Sequence, residues 1–254
     1  MLKSSIKVLS GLSLITAVAI ADEVDTELKT HTELSYVNTS GNSYTETLSV
    51  KLEFDKSFDE INQVKGKGEG IYSKTESENE ITKKIEEDIV ANKLYLEAEY
   101  IYNLKDSSFF SFVKTDYTDD KFSGYDYRLN IGPGLGYKLP IENDDHSLDL
   151  SMSIQYSQHK IDEAKDAESY SSGKTALKYL WNVKQGTKFK QDLSYQTSFD
   201  DTENYFVESI TGIEIQLTDM LSLGSSYKVN YQNITPQSAV HTDKVFLTSL
   251  IIDY

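Results

Sequence analysis

The sequence predicts an all-β chain: a single antiparallel transmembrane β-barrel of about twelve strands, with short periplasmic turns and longer extracellular loops. Three observations predict it. An apolar leader is followed by no second long apolar segment, alternating segments then run to residue 254, and their connections are long on one side and short on the other.

Residues 1–21, MLKSSIKVLSGLSLITAVAIA, carry Lys3 and Lys7 ahead of a mostly apolar run from Val8 to Ile20, and Ala19-Ile20-Ala21 forms a small-x-small cleavage site. This is the pattern of a cleaved secretory signal peptide, and the run is shorter than the ~20 residues a helix needs to cross a bilayer. The expected division is therefore 1–21 leader and 22–254 outer-membrane β-barrel. A mean hydropathy of −0.47 suits such a barrel, because half of each strand is polar. The 18 tyrosines suit an aromatic girdle where hydrocarbon meets headgroups. With no cysteine, an exported chain takes its stability from its fold or its surroundings rather than from disulfides. The formal charge is −16, and −18 once the two leader lysines are removed, a surface that repels nucleic acid.

The strands follow in order. Residues 32–40 open the series, and in 43–56 Leu48, Val50, Leu52 and Phe54 alternate with Ser49, Lys51 and Glu53. The third, 62–73, is interrupted by Gly66, Gly68 and Gly70, residues that weaken a strand. Segments 92–104, 107–117 and 124–139 come next. In 145–158, Leu148, Leu150, Met152, Ile154 and Tyr156 alternate with Asp149, Ser151, Ser153, Gln155 and Ser157. After 170–184, the strand 187–199 sets Phe189, Leu193, Tyr195 and Phe199 against Lys188, Lys190, Asp192, Ser194 and Gln196. Segments 203–217, 220–233 and 242–254 complete twelve. The last carries Phe246, Leu250, Ile252 and Tyr254 on one parity, and a terminal aromatic strand resembles the signal that such barrels present to the barrel insertion machinery.

Connections starting with Ser40-Gly41-Asn42 and taken alternately include the longer, more acidic ones, 74–91, 118–123, 159–169 and 234–241. Those between them are mostly tight, as at Lys105-Asp106 and Thr218-Asp219. An even strand number places both termini on the short-turn, periplasmic side. Within the longest connection Ile81, Ile85 and Ile89 recur at i, i+4, i+8, which fits a short amphipathic helix or an extension of the flanking strands.

The stretch DKFSGYDYRLNIGPGLGYKL, 120–139, shows the two faces most plainly. Tyr125, Tyr127, Leu129, Ile131, Leu135, Tyr137 and Leu139 share one parity, which suits lipid. Glycines 132, 134 and 136 leave the opposite, luminal wall bare and make room for larger groups from neighbouring strands or for water.

This stretch, with ELSYVNTSGNSYTETL at 33–48, ANKLYLEAEYIYNL at 91–104 and TDKVFLTSLIIDY at 242–254, resembles the salt-induced outer-membrane protein family, a bacterial β-barrel domain of unknown function. The resemblance spans nearly the whole mature chain. It implies an outer-membrane barrel and supplies no catalytic residues.

Enzyme, cofactor and metal chemistry find no support in the pattern. Gly132-Pro-Gly-Leu-Gly-Tyr has neither the spacing nor the following helix of a phosphate loop, and the four histidines at 31, 146, 159 and 241 form no ligand-spaced pair. His159 and Ser157 share a parity without a third partner for hydrolysis. The acidic clusters Glu86-Glu87-Asp88, Asp119-Asp120, Asp162-Glu163 and Asp200-Asp201 read as solvated charge, with divalent-cation bridging to lipopolysaccharide as the alternative. Glu97, Glu99, Asp126, Arg128, Lys174, Lys178, Lys188, Lys190 and Asp192 fall on the parity opposite the apolar set, and these are the expected lumen-lining charges. The expected protein is monomeric, non-enzymatic and in contact with outer-membrane lipid. It has a structural or envelope and osmotic-stress role with at most a narrow polar channel, and a small ion or solute pore is the alternative.

Overall fold

The structure, a computed structural model, describes residues 28–39, 44–78, 85–162, 164–236 and 240–254; the leader, the Ser40-Gly41-Asn42 turn, Ile81 and Glu163 lie outside them. Twelve strands are present: β1 (Leu28–Thr39), β2 (Tyr44–Ser57), β3 (Asn62–Glu78), β4 (Ile85–Asn103), β5 (Phe109–Asp120), β6 (Tyr125–Lys138), β7 (His146–Ile161), β8 (Glu168–Lys184), β9 (Thr187–Ser198), β10 (Tyr205–Gln216), β11 (Leu221–Gln232) and β12 (Thr242–Asp253). Each pairs antiparallel with its sequence neighbours, and β1 pairs with β12 to close the barrel. The seam is short, running from His31↔Asp253 to Ser35↔Ser249. β1 and β2, by contrast, match from Leu28↔Lys56 to Thr39↔Thr45.

The wall is inverted relative to a water-soluble domain. Its buried side chains include Ser35, Ser49, Glu69, Asp116, Gln155, Ser157, Ser172, Glu214 and Ser249, all facing inward. The exposed ones include Leu34, Tyr100, Ile131, Leu135, Met152, Ile154, Ile213, Phe246 and Ile252, an apolar outer surface that water would disfavour. Period-two alternation produces both faces at once, since successive side chains point to opposite sides of a strand.

β4 begins at Ile85, seven residues earlier than the alternation indicates, because it continues its pairing with β3 up to Glu78↔Ile85. Across this hairpin Lys74 Nζ reaches Glu87 Oε2 at 3.1 Å. Ile85 and Ile89 are thus on a strand extension. A spacing of four is even, so it satisfies a two-residue period as readily as a helical one.

β6 departs from simple alternation at both ends of its apolar run. Thr118 opposes Arg128 while Asp120 opposes Tyr125, so two residues of β6 stand against one of β5, a β-bulge. The bulge reverses the parity: Tyr125 turns inward and is buried, against the expectation that it faces lipid. A 3-10 turn, Lys121–Ser123, feeds it, with Ser123 Oγ donating to Asp120 O at 2.6 Å and Gly124 in the left-handed region. At Gly132 the β7 backbone comes so close that a Cβ would lie 2.0 Å from Ile154 O, and Pro133 beside it has no N–H to offer the ladder.

The bare luminal wall of β6 is filled from β5. Phe112 lies over Gly134 and Phe110 over Gly136, and together with Ile101 of β4 they form a small buried apolar cluster inside the barrel. Added atoms at Gly134 therefore meet a ring rather than open lumen. A Cβ there would lie 2.2 Å from Phe112 Cζ, so Gly134→Ala should destabilise the barrel by about 1 to 3 kcal/mol through forced repacking. At Gly212 the nearest neighbour of a Cβ is Ser225 O at 3.6 Å, so Gly212→Ala should stay within about 0.5 kcal/mol of the parent. The urea midpoint, followed by heat-modifiable gel mobility, separates the two.

Candidate functional site in the lumen

A cavity of about 980 Å³ occupies the lumen, reached by Lys29, Gly186, Asp219 and Tyr254 from the short-turn end and by Ser123, Gln232 and Asp243 from the long-loop end. Eleven Lys and Arg and twelve Asp and Glu line it, so its wall is close to neutral and the chain's large acidic surplus lies elsewhere.

Glu97, Glu99, Arg128, Lys174, Lys178, Lys188, Lys190 and Asp192 line this cavity. Asp126 does not, and its expected luminal position is corrected by the β6 bulge. The inserted residue turns it outward, where its carboxylate pairs with Lys160 Nζ at 3.0 Å. The structure adds charges that the expectation omitted. Lys67 and Glu69 of β3, Lys93 of β4, Lys114 and Asp116 of β5, Glu208 of β10 and Lys228 of β11 also face the lumen. Their parity was visible in the alternation of their strands, Lys65-Gly66-Lys67-Gly68-Glu69 above all.

Most of these charges are tied. Lys228 Nζ lies 3.1 Å from Glu208 Oε2 on the adjacent strand and 3.6 Å from Glu69 Oε1 on β3, four strands away around the wall, so this pair crosses the lumen. Lys67 supports Glu69 at 3.5 Å, Lys114 meets Glu97 at 2.8 Å, Lys93 meets Asp120 at 3.7 Å, and Lys190 pairs with Glu214. Near the seam Lys51 contacts Glu33 at 2.5 Å, and His31 bridges Glu33 and Asp253 at 2.8 and 2.6 Å. Charges removed from bulk water need such partners, or their desolvation outweighs what they contribute.

Towards the long-loop end the lumen narrows. The Arg128 guanidinium lies 5.4 Å from the Tyr125 ring and 5.0 Å from the Phe206 ring of β10, across the interior. Above it Gln232 Nε2 donates to Ser123 O at 3.4 Å, and Pro236 packs against Gly124. One level down, a polar chain spans five strands. Asn130 Nδ2 donates to Asp116 Oδ1 at 2.7 Å, Ser157 Oγ donates to Asn130 Oδ1 at 2.7 Å and contacts Ser172 Oγ at 2.8 Å, and Gln196 Nε2 donates to Asn130 Oδ1 at 3.1 Å.

The remaining sequence candidates are dispersed. Ser157 is engaged in that chain, while His159 Nε2 faces Glu168 at 3.4 Å and its ring meets Tyr125 and Tyr170 edge-on, so the two form no nucleophile–base pair. Asp120 faces the cavity; Glu86, Glu87 and Asp88 lie along β4. Among the described residues no group of three His, Cys, Asp or Glu could hold a metal ion.

The cross-lumen tie is testable. Lys228→Met takes the ion-pair partner from Glu208, whose side chain is 43% exposed, and leaves the buried Glu69 with Lys67 alone, so it should cost about 1 kcal/mol. Adding Glu208→Gln should recover part of that loss, because the stranded charge is gone while Glu69 keeps Lys67. Urea midpoints of the single and double variants in liposomes check the order.

The geometry can be set beside known proteins. An outer membrane channel from Pseudomonas putida F1 superimposes with a TM-score of 0.54 at 11% identity, covering 94% of this chain and 98% of the channel. The NanC porin gives 0.49 at 9% identity, covering 89% of this chain and 98% of the porin. The translocator domain of the autotransporter NalP from Neisseria meningitidis gives 0.48 at 7% identity, covering 98% and 95%. At 11% identity the likeness to the Pseudomonas channel shows the fold alone. Comparison with curated protein sequences gives no match. A family model described as "protein of unknown function, DUF481" matches residues 32–254, almost the whole barrel, and the chain belongs to that family.

Proposed function

We propose that this protein is a monomeric outer-membrane barrel whose lumen is a narrow polar conduit for small solutes. The observation that carries the reading is the charged cavity of about 980 Å³, lined by residues from both ends of a barrel whose outer surface is apolar. Such a wall demands a hydrocarbon surrounding, and such an interior holds water and polar solutes. The Lys228–Glu69 tie and the contacts at the long-loop mouth keep the conduit narrow. The similar fold of the Pseudomonas putida outer membrane channel is in keeping with this reading.

Location and processing belong to the same proposal. The leader is removed to leave Asp22 first, the strand ending at Tyr254 is offered to the insertion machinery, and lipid and lipopolysaccharide surround the wall. The envelope or osmotic-stress role is supported by the sequence resemblance, and growth of a deletion strain at high salt tests it.

Purified protein in planar bilayers should show small stepwise conductance with a cation-to-anion permeability ratio near one, because the two signs nearly balance along the cavity. Silence in every salt would remove the conduit. On fractionation the mature chain should travel with outer membranes, and recovery as a soluble periplasmic protein would remove the location. Ile131→Lys, at an exposed mid-strand position of the outer face, should destabilise the inserted barrel by ~2 to 4 kcal/mol, read from the urea midpoint in liposomes.

A further inference from the structure

We infer that the polar level spanning β5 to β9 is a binding seat for a small zwitterion, a molecule carrying one ammonium and one carboxylate. The inference rests on the conduit reading and names its solute class.

Three side chains at this level are left incomplete among the described residues. Asp116 is 5% exposed and lines the cavity; Asn130 holds its Oδ1, and its Oδ2 has no hydrogen-bond partner. Gln155, on the luminal face of β7 and 2% exposed, has neither amide atom bonded. Lys174 of β8 also lines the cavity. Its cross-strand neighbours are Gln196 and Ser153, and among the described residues no carboxylate stands within ion-pair distance of it. The level is tied together by the hydrogen bonds from Gln196 through Asn130 to Asp116, so the anionic and cationic groups flank one polar floor.

Leaving such groups unmade is expensive, most of all for a buried carboxylate oxygen such as Asp116 Oδ2. A lone cation would complete Asp116 and leave Lys174; a lone anion would do the reverse. A solute with both charges completes both. Lys178 and Lys188, also on this wall, have Asp192 and Glu214 as register neighbours, so the carboxylate end is directed to Lys174. A metal ion fits poorly, since a single carboxylate and amides supply too few hard ligands.

The test uses the full chain in detergent and in planar bilayers with a series of ω-amino acids, glycine, γ-aminobutyrate and ε-aminocaproate, and with butylamine and butyrate as single-charge controls. One member of the zwitterion series should raise the thermal unfolding midpoint and block the ion current more strongly than either control. Asp116→Asn and Lys174→Gln should each weaken that block by ~10-fold or more, the worth of one charged hydrogen bond. Lys160→Gln, on the outer face, should leave the block as in the parent. Equal effects of zwitterions and single-charge controls, or a block that ignores both luminal substitutions, would overturn the seat and leave ordered water as its occupant. A barrel that is silent in bilayers but still stabilised by the zwitterion would overturn the conduit and retain the seat.

Discussion

The structure depends on one constraint: every backbone N–H and C=O in the wall must find its partner inside the wall, because hydrocarbon offers none. A sheet meets that demand only when closed, and closure here is made by β1 meeting β12. Once the ring is closed, one face of each strand must look outward and the other inward. The apolar residues are then held on the outside and the polar ones in the middle, with no freedom to exchange. The small apolar cluster of Ile101, Phe110 and Phe112 is one exception, beside the inward-facing Ile71, Tyr125, Leu247 and Ile251, and it exists because β6 presents glycine where β5 presents phenylalanine.

A charged interior follows from the same constraint and sets the next problem. Side chains such as Lys67, Glu69, Glu208 and Lys228 sit in a confined space where an unmatched charge is costly, and the barrel answers by pairing them across strands and across the lumen. Those ties narrow the passage and stiffen the wall together. The groups outside the pairing scheme are therefore informative, since each is a point where the protein's own accounting of donors and acceptors does not close.

Much of the fold was legible in the sequence because a two-residue period is a direct imprint of strand geometry. The strand number, the long and short connections and the luminal parity of residues such as Glu97, Lys178 and Lys190 all follow from it. What could not be read falls into three kinds. A bulge adds one residue without a compositional mark, so Tyr125 and Asp126 changed sides while the apolar pattern still looked regular. Parity, moreover, says that a residue points inward but not which residue it meets there. Glu69 and Lys228 are far apart in sequence, and only the staggered register of the closed ring brings them into contact. The start of β4 was misjudged for a third reason: isoleucines four apart satisfy the helix and the strand alike.

The seam has a kinetic meaning beyond its geometry. Eleven of the twelve pairings join strands adjacent in the chain, so each can form as a hairpin with a short loop to close. The twelfth brings Thr30 to Tyr254, 224 residues apart, and matches only the stretch from His31 to Ser35 with that from Ser249 to Asp253. Nearly all of the long-range search is thereby concentrated in a single late event, and it is rewarded by the fewest ladder bonds of any pairing. The polar contacts of the seam, His31 with Asp253 and Ser35 with Ser249, then act as a register check on that event. A slip by one residue would turn those side chains toward lipid and leave an open sheet, so correct closure and correct alignment are reached in the same step.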